Sequence, residues 1–278
     1  MSSSFCLIGH PLGHSLSPFI HARLFALANR EETYTLNDIA PEDLDAAFPA
    51  LLKTIHGCNV TIPHKQRVLP HLDRIEGKAA IYRTVNTVAV TESGTVGYNT
   101  DADGFLCALR EAGIPLKGRV FILGAGGAGT VLSFEAALAG CDIVSYDPYA
   151  PEASERLCAK LREVAPDIHC EAAKTMPQGP FDLLINSSPV GMYPHVEECP
   201  VPDELIAQCN AVFDVIYNPR ETALLRKAAA NGAKTAGGMA MLVWQAAIAH
   251  KHWFGAEFDP ADIAQLINDC YVELASKF

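Results

Sequence analysis

Short apolar runs alternate with amphipathic segments along most of the chain. The run at residues 120–123 contains no polar side chain, which is typical of a parallel strand that is buried on both faces. Residues 5–8 form a similar run, and a helical pattern from Pro18 to about residue 28 follows it. The repetition of this order, strand and then helix, predicts an α/β protein.

The order of the further elements predicts two domains. A hairpin is predicted at residues 84–98, and a helix from Asp101 to residue 112 separates two series of strands and helices. The second series has predicted strands at residues 142–146, 181–185 and 211–215 and predicted helices at residues 152–164 and 222–230.

We expect these two α/β domains to lie around a cleft. Residues 1–101 together with about 238–278 would form the first domain. Residues 102–237 would form the second, a Rossmann-type, doubly wound parallel sheet. Polar loops at the C-terminal ends of the strands would then face the cleft, because open α/β sheets bind ligands at that edge.

A glycine-rich turn follows the apolar run at residues 120–123. Gly124, Gly126 and Gly129 have the spacing G-x-G-x-x-G between a predicted strand and a predicted helix. In dinucleotide-binding proteins the first glycine permits the turn, the second lets the pyrophosphate approach, and the third lets the helix pack closely. The triplet alone can be an ordinary turn, so the prediction of a dinucleotide site depends on the strand and helix around it.

An acidic residue is expected about 20 positions later, where it would bind the ribose hydroxyl groups. Asp147 ends the next predicted strand, and Pro148 rather than an arginine follows it. A carboxylate at this place repels a 2′-phosphate. The sequence therefore favours NAD as the cofactor and leaves NADP as the alternative.

Composition limits the partners of the chain. Its 278 residues are 49% apolar and carry a formal net charge of −11, which argues against nucleic acid or an anionic membrane surface as a partner. No run of about 18 apolar residues occurs, so we expect a cytoplasmic protein. We expect the protein to be either a monomer or a homodimer. Nine cysteines without a C-x-x-C pair predict reduced thiols, with neither a disulfide framework nor a metal site.

Two serines precede the first predicted helix. Ser17 is predicted as its N-cap, because Pro18 follows at the first helical position. Ser15 and Ser17 can be simple turn and cap residues. Alternatively, their hydroxyls and the helix N-terminus can form a small anion site that fits a carboxylate.

A second polar group follows the strand predicted at residues 57–60. Asn59, Thr61 and Lys65 lie at or after its C-terminal end, where ligands bind in open α/β sheets. A lysine in such a loop is usually a solvated surface residue, and Asp101 can be only the cap of its helix. A pairing of Lys65 with Asp101 is the functional alternative.

The chain resembles the shikimate and quinate dehydrogenase family over essentially its whole length, through eight motifs in one order. These are HSLSP at residues 14–18, NVTIPHK at 59–65, VNT at 85–87, NTDADG at 99–104, GAGGAG at 124–129, NSSPVGM at 186–192, DVIYNPRETALL at 214–225 and GGMAMLVWQ at 237–245. The resemblance implies reversible, nicotinamide-dependent reduction of 3-dehydroshikimate to shikimate, with substrate bound by the first domain and the dinucleotide by the second.

The resemblance also implies roles for single residues. Lys65 and Asp101 look like the catalytic pair, and Ser15 and Ser17 resemble the groups that hold the substrate carboxylate. The other residues that resemble substrate ligands are Asn59, Thr61, Asn86, Tyr217 and Gln245. The residues that resemble cofactor ligands are Gly124, Ala125, Gly126, Gly127, Ala128, Asp147, Ser188, Val215 and Gly238.

General chemistry agrees with this catalytic pair. Hydride transfer to a ketone leaves negative charge on oxygen, so a proton donor is needed within hydrogen-bond reach. Lys65 can donate that proton, and Asp101 would orient its ammonium group.

The chain departs from the family's pattern at three places. Members that use NADP commonly carry Asn-Arg-Thr where residues 147–149 are Asp-Pro-Tyr, which supports the interpretation as an NAD enzyme. Arg83 and Thr84 stand where a Gly-Ala pair is usual, so the pocket wall and the natural substrate are less well defined. Ala22 replaces an asparagine, which we interpret as a change in packing.

Three functions remain open on the sequence. The leading one is a shikimate dehydrogenase that uses NAD, and its rival is a quinate or quinate/shikimate dehydrogenase. The serine pair at residues 15 and 17 favours shikimate. The third is a catalytically silent, dinucleotide-binding regulatory module. The presence of both Lys65 and Asp101 argues against this third function.

Overall fold

The computed structural model describes residues 4–13 and 15–277, so His14 of the HSLSP motif lies outside the described residues. The described residues divide into two compact units. Unit 1 contains the residues up to Gly104 and those from Val243 onward, and unit 2 is Phe105–Leu242.

The elements alternate between strand and helix. Unit 1 begins with β1 (Ser4–Gly9), α1 (Ser17–Leu27), β2 (Thr33–Asp38), α2 (Leu44–Leu52), β3 (Gly57–Val60), a 3-10 turn (Leu69–His71), β4 (Arg74–Ile75), α3 (Lys78–Tyr82), β5 (Thr87–Thr91) and β6 (Gly94–Tyr98). Next come α4 (Asp101–Glu111), β7 (Arg119–Leu123), α5 (Gly127–Leu138), β8 (Asp142–Tyr146), α6 (Pro151–Val164), β9 (Cys170–Ala172), β10 (Leu183–Asn186), α7 (Asp203–Ile206), β11 (Ala211–Asp214), α8 (Ala223–Ala230) and β12 (Lys234–Gly237). The chain ends with α9 (Gly238–Phe254) and α10 (Pro260–Ala275).

The described strands of unit 1 form one mixed sheet in the order β2-β1-β3-β5-β6-β4. β1 lies parallel to β2 and β3, whereas β5 pairs antiparallel with β3 and with β6. Buried Ile8, Leu44, Phe48 and Val60 belong to one apolar cluster between the sheet and α2. The C-terminal ends of β1 and β3 lie side by side, which brings the loops after them together.

Unit 2, all of whose residues the structure describes, contains a parallel sheet in the order β9-β8-β7-β10-β11-β12. The strand order runs outward from β7 in one direction and from β10 in the other, which defines a doubly wound sheet. Both central strands are mainly apolar and buried on both faces, as the run at residues 120–123 predicted. The predicted α/β fold class is therefore confirmed.

Helices that begin at a clear N-cap residue were predicted well from the sequence, whereas several short elements were not predicted. The helix predicted at residues 222–230 is α8, and Thr222 is its N-cap rather than its first residue, since its side chain accepts a hydrogen bond from the amide of Leu225. Asp259 caps α10 in the same way by accepting from the amide of Ala261. β4, α3, β9, α7 and β12 have five residues or fewer and were not predicted. These segments are too short to show a periodicity in sequence, and their secondary structure depends on the neighbouring elements that they pair with or pack against.

The expectation that the cysteines are reduced is wrong for one pair. Cys158 of α6 and Cys170 of β9 form a disulfide, with their Cα atoms 5.5 Å apart. Because α6 packs against β9, two residues that are 12 positions apart in the chain face each other in the core of unit 2. The spacing of the cysteines gave no sign of this contact, because it is decided by tertiary packing.

Within residues 4–13 and 15–277, no helix has the length and apolar character needed to cross a lipid bilayer.

Candidate active site

Lys65 and Asp101 form an ion pair in unit 1. Nζ of Lys65 donates to Oδ2 of Asp101 at 2.6 Å, and the two side chains are 22% and 12% exposed. Lys65 lies in the loop after β3, and Asp101 is the first residue of α4. Water screens a pair this shielded only weakly, so the carboxylate can hold the ammonium group in place. The structure thus brings together the two residues that the sequence interpretation paired.

Hydrogen bonds fix the loop that carries Lys65. The carbonyl oxygen of Lys65 accepts from the amide of Val85 at 2.8 Å, and the amide of Thr61 donates to the carbonyl of Ile8 at 2.8 Å. The buried ring of His64 donates through Nε2 to a backbone carbonyl, that of residue 39, at 2.7 Å. Thr61, a predicted substrate ligand, therefore lies at the start of a loop that several hydrogen bonds fix in place.

Asn86 holds the other oxygen of the Asp101 carboxylate. Its Nδ2 group donates to Oδ1 of Asp101 at 2.8 Å and to the hydroxyl of Thr100 at 3.0 Å. Its Oδ1 accepts from the amide of Thr100 at 2.7 Å. Oε1 of Gln245 lies 3.4 Å from the same Nδ2 atom. The predicted substrate ligand Asn86 therefore contacts the ion pair, and the predicted substrate ligand Gln245 lies next to Asn86.

Asn59 belongs to the same buried network. Its Nδ2 group donates to the hydroxyl of Thr87 at 3.0 Å and to the carbonyl of Asn86 at 3.3 Å, and its Oδ1 accepts from the Tyr34 hydroxyl at 2.8 Å. These bonds fix the side chain, because a buried amide without partners is costly. Sequence reasoning missed both Thr87 and Tyr34. Thr87 stands in the VNT motif, whereas no motif marks Tyr34.

Ser15 and Ser17 lie at the N-terminus of α1. The prediction of Ser17 as the N-cap is wrong, because Ser17 is the first helical residue and Leu16 occupies the cap position. The hydroxyl of Ser15 accepts from the amide of Ser17 at 3.1 Å. A residue before the helix reaches the first amides more easily than one inside it does. Both serines nevertheless lie at the N-terminus of α1, where the anion-site interpretation places them.

In unit 2 the glycine-rich turn joins β7 to α5. Gly124 has φ +92°, a conformation that glycine adopts without steric cost. A Cβ on Gly129 would overlap the carbonyl oxygen of Gly124, so α5 can approach β7 this closely only with glycine there. Gly126 is the N-cap of α5 and has no side chain that could occupy the amides of the first turn. That turn contains Gly127 and Ala128, and its amides can face a phosphate.

Asp147 follows β8, and its carboxylate is bound to the glycine-rich turn. Oδ2 accepts from the amide of Ala125 at 2.9 Å, and Oδ1 accepts from the amides of Tyr149 and Ala150 at 3.0 Å each. These bonds fix the acidic group at the place where the ribose of a dinucleotide would lie. Residues 145–155 contain neither arginine nor lysine.

The loop after β10 lies against the same turn. The hydroxyl of Ser187 lies 2.8 Å from the carbonyl oxygen of Leu123 and 2.9 Å from that of Gly124. Ser188 donates through its hydroxyl to Oδ1 of Asn186 at 2.7 Å. β7 and β10 are the strands between which the order of the sheet reverses, and ligands bind at such a reversal. Gly124 and Ser188 therefore lie where a dinucleotide is expected.

The buried carboxylate of Asp214 joins the end of β10 to the loop after β11. It accepts from Nδ2 of Asn186 at 3.0 Å, from the hydroxyl of Thr222 at 2.7 Å and from the amide of Ile216 at 3.1 Å. Burial raises the pKa of Asp214 to about 6, although the hydrogen bonds oppose this shift. Asp214 begins the DVIYNP motif, and no role was predicted for it from the sequence.

Val215, Tyr217 and Gly238 follow the ends of β11 and β12. A Cβ on Gly238 would overlap the carbonyl oxygen of Val215, and the amide of Gly238 donates to the carbonyl of Ile216 at 3.0 Å. Glycine is therefore required where α9 begins. Burial raises the pKa of Tyr217 above its ordinary value.

These features of unit 2 fit a bound dinucleotide. The glycine-rich turn offers open backbone amides to phosphates, and Asp147 offers a fixed carboxylate to a ribose. Among the described residues, no group of three or more histidine, cysteine, aspartate or glutamate side chains is placed to hold a metal ion.

Comparison with known proteins agrees with this arrangement. Residues 7–88 match the family described as the shikimate dehydrogenase substrate binding domain. A shikimate dehydrogenase (NADP(+)) from Caldanaerobacter subterraneus subsp. tengcongensis is 41% identical over 261 residues, covering 92% of either chain.

Two solved structures have the same fold over nearly the whole chain. Shikimate 5-dehydrogenase from Thermus thermophilus, in complex with NADP(H) and shikimate, has a TM-score of 0.86 at 34% identity and covers 96% of this chain and 99% of its own. Shikimate 5-dehydrogenase from Listeria monocytogenes, in complex with shikimate and NAD, has a TM-score of 0.83 at 28% identity and covers 96% of each chain.

The doubly wound sheet, its glycine-rich turn and these similarities define the class, an NAD(P)-dependent oxidoreductase with an α/β fold. The alignment with the Caldanaerobacter enzyme extends over 92% of the chain. The chain belongs to the shikimate dehydrogenase family.

Asp214 should make the stability of the protein depend on pH. Its folded-state pKa of about 6 lies above the ordinary 3.8, so the folded state binds the proton more tightly than the unfolded chain does. The free energy of unfolding should therefore fall by about 2 kcal/mol from this residue as the pH rises from about 4 to about 7. Asp214→Asn should lack this component in urea unfolding followed by circular dichroism.

The matched control is Asp167→Asn, because Asp167 is an exposed carboxylate of the same unit. The account of Asp214 is contradicted if its variant and the control show the same pH dependence of unfolding as the unmodified protein.

Proposed function

We propose that this protein is a shikimate dehydrogenase that interconverts 3-dehydroshikimate and shikimate with a nicotinamide cofactor. The observation that carries the proposal is the shielded ion pair of Lys65 and Asp101, whose second carboxylate oxygen Asn86 holds. A silent module would not need a lysine fixed in this way among amide and hydroxyl groups that suit a polyol.

Each residue of the pair has one task in the proposed reaction. The ketone carbon would take its hydride from a reduced nicotinamide, when that cofactor is bound. Lys65 donates the proton that the ketone oxygen takes up, and Asp101 orients the ammonium group toward it. Because Asn86 and Lys65 bind different oxygens of Asp101, the carboxylate keeps one orientation.

The polar residues around the pair are proposed to recognise the substrate. Ser15 and Ser17, at the N-terminus of α1, would bind its carboxylate. The residues proposed to contact its ring and hydroxyl groups are Asn59, Thr61, Asn86, Tyr217 and Gln245. A substrate analogue that lacks one hydroxyl would leave buried partners unpaired, which gives such a site its selectivity.

We propose that unit 1 binds the substrate and unit 2 the dinucleotide. The proposed cofactor ligands are Gly124, Ala125, Gly126, Gly127, Ala128, Asp147, Ser188, Val215 and Gly238. The protein would act in the cytoplasm on this small molecule, as a monomer or a homodimer.

We further propose that NAD is preferred over NADP. The names of several relatives give NADP(+) as the cofactor, whereas the structure of the Listeria relative contains NAD. In this chain the fixed carboxylate of Asp147 supports NAD, because it would repel a 2′-phosphate and no basic residue follows it closely.

One assay separates the candidate functions. Oxidation of shikimate and of quinate should be measured with NAD⁺ and with NADP⁺, and kcat/KM should be highest for shikimate with NAD⁺. A higher value for quinate would make the protein a quinate dehydrogenase. No turnover in any of the four combinations would indicate the silent module.

Lys65→Met should lower kcat by about 10²- to 10⁴-fold, because methionine keeps much of the length of the side chain and cannot donate a proton. Steady-state kinetics with shikimate would measure this loss. Lys53→Met is the control, since Lys53 is an exposed lysine at the end of α2. Unchanged turnover in Lys65→Met would remove Lys65 from the chemistry.

Asp147→Asn combined with Pro148→Arg should shift the ratio of kcat/KM for NAD⁺ to that for NADP⁺ toward NADP⁺ by about tenfold or more. The new arginine can bind a 2′-phosphate, and the repelling charge is gone. Asp142→Asn, at the exposed opposite end of β8, is the control. If the unmodified protein already prefers NADP⁺, the argument from Asp147 is wrong.

A further inference from the structure

Thr84 is a buried polar residue to which the proposed reaction assigns no role. It is 2% exposed, and both its hydroxyl and its carbonyl oxygen accept from Nδ2 of Asn99, at 2.9 and 3.2 Å. Asn99 is itself only 6% exposed. Two acceptors on the same side of the amide determine which way the Asn99 side chain points.

The other end of this amide reaches the proposed catalytic carboxylate. Oδ1 of Asn99 accepts from the backbone amide of Asp101 at 3.1 Å. Asp101 is the first residue of α4, and its amide is one of those that the helix itself leaves without a partner. Thr84 therefore holds Asn99, and Asn99 holds the backbone from which the Asp101 side chain extends.

The two residues after Thr84 also contact the ion pair. The amide of Val85 donates to the carbonyl of Lys65 at 2.8 Å, and Asn86 donates to Oδ1 of Asp101 at 2.8 Å. Thr84 thus begins a segment of three residues that supports both members of the pair. A displacement of Thr84 would therefore change the positions of both Lys65 and Asp101.

We propose that Thr84 is a positioning residue, whose hydroxyl sets the geometry of the Lys65–Asp101 pair through Asn99. The inference rests on the proposed function and deepens it, because it adds a residue that acts on the chemical step without touching the substrate. Its effect should lie in kcat, since the groups that bind the substrate remain in place.

The test compares two substitutions at Thr84. Thr84→Val keeps the shape of the side chain and removes the hydroxyl, whereas Thr84→Ser keeps the hydroxyl and removes the methyl group. We expect Thr84→Val to lower kcat for shikimate oxidation by about 5- to 30-fold with KM changed less than about twofold. Thr84→Ser should retain at least about half of the kcat. Circular dichroism melting of each variant fixes an assay temperature at which all are folded.

A double-mutant cycle shows whether Thr84 acts through Asp101. In an Asp101→Asn background, Thr84→Val should cause no further loss of kcat, because the carboxylate that it positions is already gone. Hydrogen exchange of the peptide that contains Asp101 should also be faster in Thr84→Val than in Thr84→Ser.

Three results would overturn the inference. They are an unchanged kcat in Thr84→Val, an equal loss in Thr84→Ser, and an equally large effect of Thr84→Val in the Asp101→Asn background. Failure of the proposed function is distinguishable, because it shows in the unmodified protein as absence of shikimate oxidation with either cofactor. The hydrogen-exchange comparison still tests the contact from Thr84 to Asp101 in that case.

Discussion

The proposed active site depends on keeping one buried carboxylate compensated. Asp101 is 8% exposed, so little water is available to stabilise its charge. Lys65 and Asn86 bind its two oxygens, and the backbone of the same residue is held by Asn99. A buried charge that loses its partner is strongly destabilising, so these contacts serve the fold as much as they serve the proposed reaction.

Unit 2 shows a comparable use of carboxylates at the ends of its strands. Asp214 is the buried last residue of β11 and binds Asn186 at the end of β10 and Thr222 before α8, which keeps three segments in one arrangement. Asp147 follows β8 and binds the amide of Ala125 in the glycine-rich turn. Because a carboxylate accepts several hydrogen bonds, a single acidic residue can fix loops that come from separate parts of the chain.

Local interactions explain which predictions succeeded. The helix predicted at residues 222–230 begins at a threonine that binds an amide only three residues away, so the sequence around Thr222 contains the whole interaction. Gly124 and Gly129 were recognised for the same reason, since strand, turn and helix are consecutive. The cap of α1 was misassigned because a serine before a proline has the sequence of an N-cap, and only the backbone conformation shows that Ser17 lies inside the helix and Leu16 at the cap position.

The sequence by itself determined the α/β order, the glycine-rich turn and the set of residues that we propose for the chemistry, because each of these residues lies in a short motif of consecutive positions. Apart from the pairing of Lys65 with Asp101, which the motifs suggested, only the tertiary structure decided the partners of those residues. Tyr34 reaches Asn59, Thr84 reaches Asn99, and Cys158 is bonded to Cys170. These partners come from different elements, and pairing of strands and packing of helices brings them together over distances in sequence at which no local pattern exists.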